Sequence, residues 1–299
     1  CRLLDLDPLP FFLAEIMASN IGGTATLIGD PPNIMIGSAA GYSFVDFVVY
    51  DTPAALLSLA VMLALFYLLF GRKLHVDDAH KDALAGLDER EQIKNPILLR
   101  QSVVMIVLVV VGFMAHGSLG IESCVVALTA AGVLMLISGE RIEEALAHVE
   151  WTTLVFFAGL FIIVGALSEV GVIGMLAQAL IDVTGGSTFV AMLVLLFASA
   201  IISSFLDNIP FVATMIPILL SMEATGMDVA PLWWAVSLGA CLGGNGTLIG
   251  ASANVVMSDI SRKNGHVITF AHFFKVGFPT MLATVAVSAI YLIVRFPPM

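Results

Sequence analysis

The chain has 299 residues, 59% of them hydrophobic and only 12% charged, with a mean hydropathy of +1.03. That is too little charge for the surface of a soluble domain of this size. The acids behind the net charge of -11 lie mostly in loops, and no basic face for nucleic acid appears. Apolar runs about 20 residues long, without alternation, predict an all-α polytopic membrane protein rather than a barrel. Cys1, Cys124 and Cys241 are too widely spaced for a disulfide framework or a zinc site. The opening CRLLDLDP reads as the tail of a preceding element, so an N-terminal part is expected ahead of Cys1.

In chain order, residues 9–41 form one crossing, interrupted near Gly22–Asn33 by glycines and Pro31-Pro32. Ser43–Asp51 reads as a loop, and 53–70 as a crossing with Pro53 in its first turn. The segment 72–101 holds six of the twelve Lys and Arg residues and reads as a cytoplasmic loop. Crossings follow at 97–115 and 124–137, then a polar helical segment at 139–150. A further crossing runs over 151–167, and a short amphipathic piece over 171–186. Residues 189–220 flank Asp207-Asn208-Ile209-Pro210. As one helix they would be about 48 Å long against a core of roughly 30 Å, so a re-entrant hairpin is expected. Residues 231–259 form a second interrupted crossing and 276–294 the last.

The two interruptions are copies of one another. Gly22–Asn33 and Gly243–Asn254 align without a gap at an offset of 221, and seven of twelve positions are identical. With the 72–101 loop inside, Arg2, Arg141, Arg262, Lys263 and Lys275 also fall inside, and only Arg295 falls outside. This layout runs the two copies through the membrane in opposite directions. Residues 1–71 become the end of a first repeat and 102–299 the second. Broken helices at corresponding places of inverted repeats point to the binding site of a secondary transporter.

Three motifs, SNIGGTATLIGDPPN (Ser19–Asn33), DNIPFVATMIP (Asp207–Pro217) and GGNGTLIGASANVV (Gly243–Val256), carry a family resemblance. Together they resemble the arsenite-permease and P-protein branch of the ion transporter superfamily, over nearly the whole chain. The resemblance implies two inverted repeats, each with a hairpin whose tip faces a broken-helix loop. Substrate and coupling ion are held between them, working by alternating access in a bacterial inner membrane. By that analogy the tip Asp207-Asn208 partners Gly243–Asn254, while the hairpin partnering Ser19–Asn33 precedes Cys1. Carboxylate carriers of the superfamily have Ser-Asn-Thr at the tip. An acid there favours a cation, a proton or a neutral hydroxide such as arsenous acid. The GDPPN loop also differs from that of the best-known arsenite pumps.

The candidate ligands are Asp207, Asn208, Gly244, Asn245, Thr247 and Asn254 in the second repeat. In the first they are Ser19, Asn20, Gly23, Thr24, Asp30 and Asn33. A carboxylate at membrane depth is costly and marks an ion or proton site, or else caps the helix after a break. Asn208, Asn245 and Asn254 offer neutral oxygens for Na⁺, or else satisfy backbone groups freed by the break. Five histidines sit in or near loops, His116 ends a crossing, and Cys241 reads as a packing residue. No cofactor is expected beyond Na⁺ or H⁺ as coupling ion. The expected partners are a small inorganic ion or small anion and the lipid bilayer, with no nucleic acid; a homodimer is one assembly open to it. A proton- or cation-coupled efflux permease for arsenite or antimonite leads, with Na⁺/H⁺ antiport or sodium-coupled carboxylate uptake as alternatives. A channel fits a closed alternating site less well. An intramembrane enzyme lacks its catalytic pairs.

Overall fold

The computed structural model describes residues 1, 4, 6–74, 93, 95–139, 142–147, 149 and 151–298. Most of the expected cytoplasmic loop, together with Arg2, Arg141, His75, His80 and His148, lies outside them. Among the described residues the chain is helical and has no strand. The helices are α1 Leu9–Thr24, α2 Pro31–Ala40, α3 Phe44–Leu69, α4 Pro96–Leu119, α5 Ser123–Ser138, α6 Ile142–Ala147 and α7 Trp151–Glu169. They continue with α8 Val172–Thr184, α9 Thr188–Phe205, α10 Asn208–Ala224, α11 Ala230–Gly243, α12 Ser252–Lys263 and α13 Phe270–Arg295.

Four of these helices, α3, α4, α9 and α13, are each long and apolar enough to cross a bilayer. Helices α7 and α8, bent by 72° at Val170-Gly171, are apolar enough only as a pair, which makes them a broken span or a re-entrant loop. Large apolar side chains point outward on the peripheral helices, for example Leu136 at 79% exposure and Ile162 at 73%. In water such a surface would drive aggregation; against lipid tails it is the expected outer face. The molecule is an integral multi-pass membrane protein.

The core is built on α11. Every residue from Pro231 to Gly243 is buried, so this helix is enclosed on all sides by protein. Its closest neighbour is α9. A Cβ built on Gly239 would stand 2.6 Å from the Leu196 carbonyl oxygen, and one on Gly243 2.7 Å from that of Ala200. Only glycine allows so close an approach, which lets Ser203 Oγ donate to the Ala240 carbonyl at 2.7 Å. The contacts Leu196/Gly239, Ala200/Gly243 and Ser204/Thr247 share a separation of 43 residues. The two helices are therefore parallel and in constant register. Near their starts, Thr188 Oγ1 donates to the Asp228 carbonyl at 3.1 Å. Since α9 and α11 run the same way, α10 between them runs back. The segment is a hairpin whose turn is Leu206-Asp207.

The expected loop at Ser43–Asp51 is a correction. Helix α3 begins at Phe44, because Ser43 and Asp46 form a reciprocal capping box that fixes its first turn. His116 of α4 adds a second anchor, its Nε2 accepting from the Phe44 N–H at 3.3 Å. Pro53 therefore lies inside the helix, and Asp51 is a buried helical residue rather than a loop residue. The last crossing likewise starts earlier than expected, at Phe270, capped by Thr269. Both α3 and α13 are 26 residues long, and each carries a proline nine positions after its first residue, Pro53 and Pro279. Each repeat thus contributes a broken helix followed by a 26-residue crossing with its proline in the same place.

Candidate functional site

Both breaks are built the same way. Helix α1 stops at Thr24 and α2 restarts after Asp30; α11 stops at Gly243 and α12 restarts after Ala251. Asp30 and Ala251 occupy equivalent positions and share an extended backbone, with φ/ψ of -143°/137° and -152°/151°. In each loop two glycines meet. A Cβ on Gly23 would be 2.8 Å from the Gly29 carbonyl oxygen, and one on Gly250 2.9 Å from that of Gly244.

The carbonyls released by each break are retied by one asparagine. Asn33 Nδ2 donates to the Thr24 and Thr26 carbonyls at 3.2 and 3.0 Å. Asn254 Nδ2 donates to those of Gly244 and Thr247 at 2.7 and 2.8 Å. Thr52 Oγ1 adds a bond to the Ala25 carbonyl at 2.7 Å, and Thr247 Oγ1 donates to the Ser204 carbonyl. Backbone polar groups at membrane depth must find partners within the protein, and these side chains are the partners.

The two breaks also bond to each other. Asn20 Nδ2 of α1 donates to Asn254 Oδ1 at 2.8 Å and to Asn245 Oδ1 at 2.9 Å. Its equivalent in the second repeat, Cys241, directs its thiol at Asn33 Oδ1 at 3.4 Å. Exchanging the repeats turns the Asn20–Asn254 contact into the Cys241–Asn33 contact, which is the signature of a two-fold axis. Asn245 Nδ2 also donates to the Met17 carbonyl at 3.4 Å, well before the end of α1. Asn245, just past the end of α11, therefore meets α1 well inside its length, and together with the exchange of the repeats this makes α1 and α11 antiparallel.

Between the breaks and the hairpin turn lies a cavity of about 120 Å³. Ser19, Asn20, Gly23 and Asp30 line it from the first repeat, with Gly29 and Pro31. Asn208 and Ile209 come from the hairpin, and Ala251, Ser252 and Ala253 from the start of α12. Asn208 Nδ2 reaches both carboxylate oxygens of Asp30 at 3.1 Å. Asp207 Oδ1 accepts from the Ile209 N–H at 3.0 Å and so caps α10. Ser204, at the end of α9, is the hairpin residue that meets the loop of its own repeat, while Asn208 crosses to the other. Thr24, Asn33, Gly244, Asn245, Thr247 and Asn254 stand behind the wall as its framework, and Thr24 Oγ1 bonds back to the Asn20 carbonyl. A larger cavity of about 530 Å³ lies at the opposite ends of α9 and α11, beside Asp228 and Arg295, and touches neither break.

Three helix N-termini, those of α2, α10 and α12, converge on the smaller cavity. Each brings partial positive charge, yet the three differ in what they can bind. At α2 the first two residues are prolines, which have no N–H, and the cap is a carboxylate. At α12 the cap is Ala251, which has no side-chain acceptor, so the N–H groups of Ser252 and Ala253 have no capping side chain. One repeat thus presents an acid without donors and the other presents donors without an acid. Sequence reasoning missed Ser252 and Ala253 because their contribution is backbone. The signal was there in the equivalence of Ala251 with Asp30.

The chain matches the citrate transporter family (CitMHS) over residues 1–239. It is 43% identical to a 46 kDa membrane protein of Mycobacterium leprae, over 99% of this chain and 70% of that protein. It is 45% identical to an uncharacterized transporter of Mycobacterium bovis, with the same coverage. Human P protein is 32% identical over 98% of this chain, which corresponds to 45% of that longer protein.

Proposed function

The chain belongs to the citrate transporter family, a family of transporters and not of enzymes, and on that premise we propose that it is a secondary active carrier of a small anion, coupled to a proton or a cation. The observation that carries this reading is the asymmetry between the two breaks. A cation or proton is suited to the Asp30 carboxylate, and an anion to the uncapped N-terminus of α12 about one cavity width away. Residues 1–71 then complete the first repeat, the segment from Arg72 to the start of α4 at Pro96 joins the repeats on the cytoplasmic side, and α4 onward forms the second. The mycobacterial relatives favour a bacterial inner membrane. Carboxylates are the first substrate class to test, given the family.

A second reading is efflux of arsenite or antimonite. Asp30 favours it, because a neutral hydroxide suffers no repulsion from the acid in the cavity. Counterflow in proteoliposomes decides between the two, with citrate, arsenite and Na⁺ compared under an imposed pH gradient. Exchange of labelled citrate that responds to the gradient is the expected result. Exchange of arsenite alone would replace the first reading by the second, and gradient-driven Na⁺ flux without either would make the protein an antiporter.

A further inference from the structure

Outside the cavity, the structure buries a second carboxylate. Asp51 of α3 is 0% exposed, and Ser237 Oγ of α11 is 2.6 Å from its Oδ2. Its Oδ1 has no hydrogen-bond partner, and among the described residues no cation pairs with it. The same Ser237 Oγ lies 2.7 Å from Asn33 Oδ1. Asn33 cannot be turned over, because its Nδ2 is held by the Thr24 and Thr26 carbonyls; the atom facing Ser237 is an acceptor. A serine hydroxyl has one proton and here meets two acceptors at hydrogen-bond distance. If Asp51 were ionised, the hydroxyl would turn to the charge and leave two bare oxygens 2.7 Å apart at Asn33. If Asp51 carries a proton, both contacts of Ser237 close. Asp51 Oδ2–H donates to Ser237 Oγ, Ser237 Oγ–H donates to Asn33 Oδ1, and Asn33 Nδ2 holds the break.

We propose that Asp51 is a proton-binding site, loaded in this conformation, and that release of its proton switches Ser237 from Asn33 to Asp51 and unties the first break from α11. The proton leaves to water, the Ser237 hydroxyl rotates onto the carboxylate, and Asn33 Oδ1 keeps only the weak Cys241 thiol contact at 3.4 Å. Thr52, next in sequence, bonds the Ala25 carbonyl, so α3 reaches the same break directly through Thr52 and, by way of Ser237, from Asp51. The ionisable groups within electrostatic reach are Cys241 on α11, Tyr291 on α13 and Tyr50 on α3 itself, with Arg295 of α13 stacked 4.7 Å over the Tyr50 ring. Glu15 of α1 and Arg100 of α4 face out of the protein, and His116 of α4 is engaged at the start of α3.

This adds a proton site to the carrier described above, but neither readout below requires transport, so the two ideas fail separately. Infrared spectra of the purified full-length protein at neutral pH are expected to show the carbonyl stretch of a protonated carboxylic acid. Asp51→Asn should remove that band and Asp30→Asn should leave it. Hydrogen exchange over residues 24–33, corrected for intrinsic base catalysis, gives the second readout. Raising the pH should lower wild-type protection about tenfold, within the range of site-to-site couplings, and leave Asp51→Asn flat. Spectra that do not change with Asp51, or equal pH responses of the two proteins, would overturn the proposal. If Asp51→Asn does not insert, Ser237→Ala decides. Loss of the acceptor for the acid proton should shift the band, and an unshifted band sinks the idea.

Discussion

At Asn254 a single side chain holds the ends of a broken helix, and the consequence of removing it can be stated. Its amide is the side-chain donor to the Gly244 and Thr247 carbonyls, and the residue is fully buried. A buried acceptor left without a partner costs about 1–3 kcal/mol, so Asn254→Ala should lower stability by roughly 2 kcal/mol or more. A thermal melt in detergent would show it, and an unchanged midpoint would mean water replaces the side chain. The asymmetric caps give a second test. Ala251→Asp copies the first repeat into the second. The new carboxylate can cap α12 and stabilise it by about 0.5–2 kcal/mol. It also places negative charge where an anion is proposed to bind. We expect a higher melting temperature together with weaker citrate counterflow; stronger counterflow would place the anion elsewhere. Asp207 offers a contrast, since asparagine caps as well as aspartate. Asp207→Asn should keep stability, and its flux reports whether the charge at the hairpin turn is used at all.

The elements were legible in the sequence to very different degrees. Both breaks could be read from identical residues at a fixed offset, because each needs the same devices: two glycines for the close turn and an asparagine to retie the carbonyls. The hairpin could be read from length alone. Its cause was less visible. Gly239 and Gly243 look like ordinary small residues, yet they let α9 and α11 touch, and that parallel contact forces α10 to return. In the sequence Pro53 resembles the start signal of α3, whereas the real one is the capping box that Ser43 opens upstream. That resemblance hid Asp51. It also hid the second part of the repeat. Pro53 and Pro279 are 226 residues apart rather than 221, since α12 and the linker after it are together longer than α2 and its linker, and a gapless comparison passes over them. The hairpin makes a direct prediction. Cysteines placed at Ser187 and Ser221 should be labelled by an impermeant reagent from the same face of the membrane. Labelling from opposite faces would require α9 and α10 to span as one.

For the whole molecule, the contacts across the repeats say more than either repeat alone. The Asn20–Asn254 and Cys241–Asn33 pairs are images of each other, and the α1–α11 contact is antiparallel. A two-fold axis relating antiparallel helices lies perpendicular to them, and therefore in the plane of a bilayer that they cross. The charge pattern reaches the same arrangement independently, since Arg262, Lys263 and Lys275 follow the second break while no Lys or Arg follows the first before Arg72. The two breaks should accordingly deliver the chain to opposite sides. Ser38, near the end of α2, and Asn264, just after α12, are both exposed and occupy comparable places in the two repeats. Cysteines at these positions, with Cys1 and Cys124 replaced by serine, can be reacted in intact cells and in inverted vesicles. Asn264→Cys should react only where the cytoplasmic face is open to the reagent, and Ser38→Cys only from the other side. If both react from one side, the repeats are parallel. The reciprocal contacts would then need an axis along the membrane normal, and the two unlike caps at Asp30 and Ala251 would face the same compartment rather than one shared cavity between two.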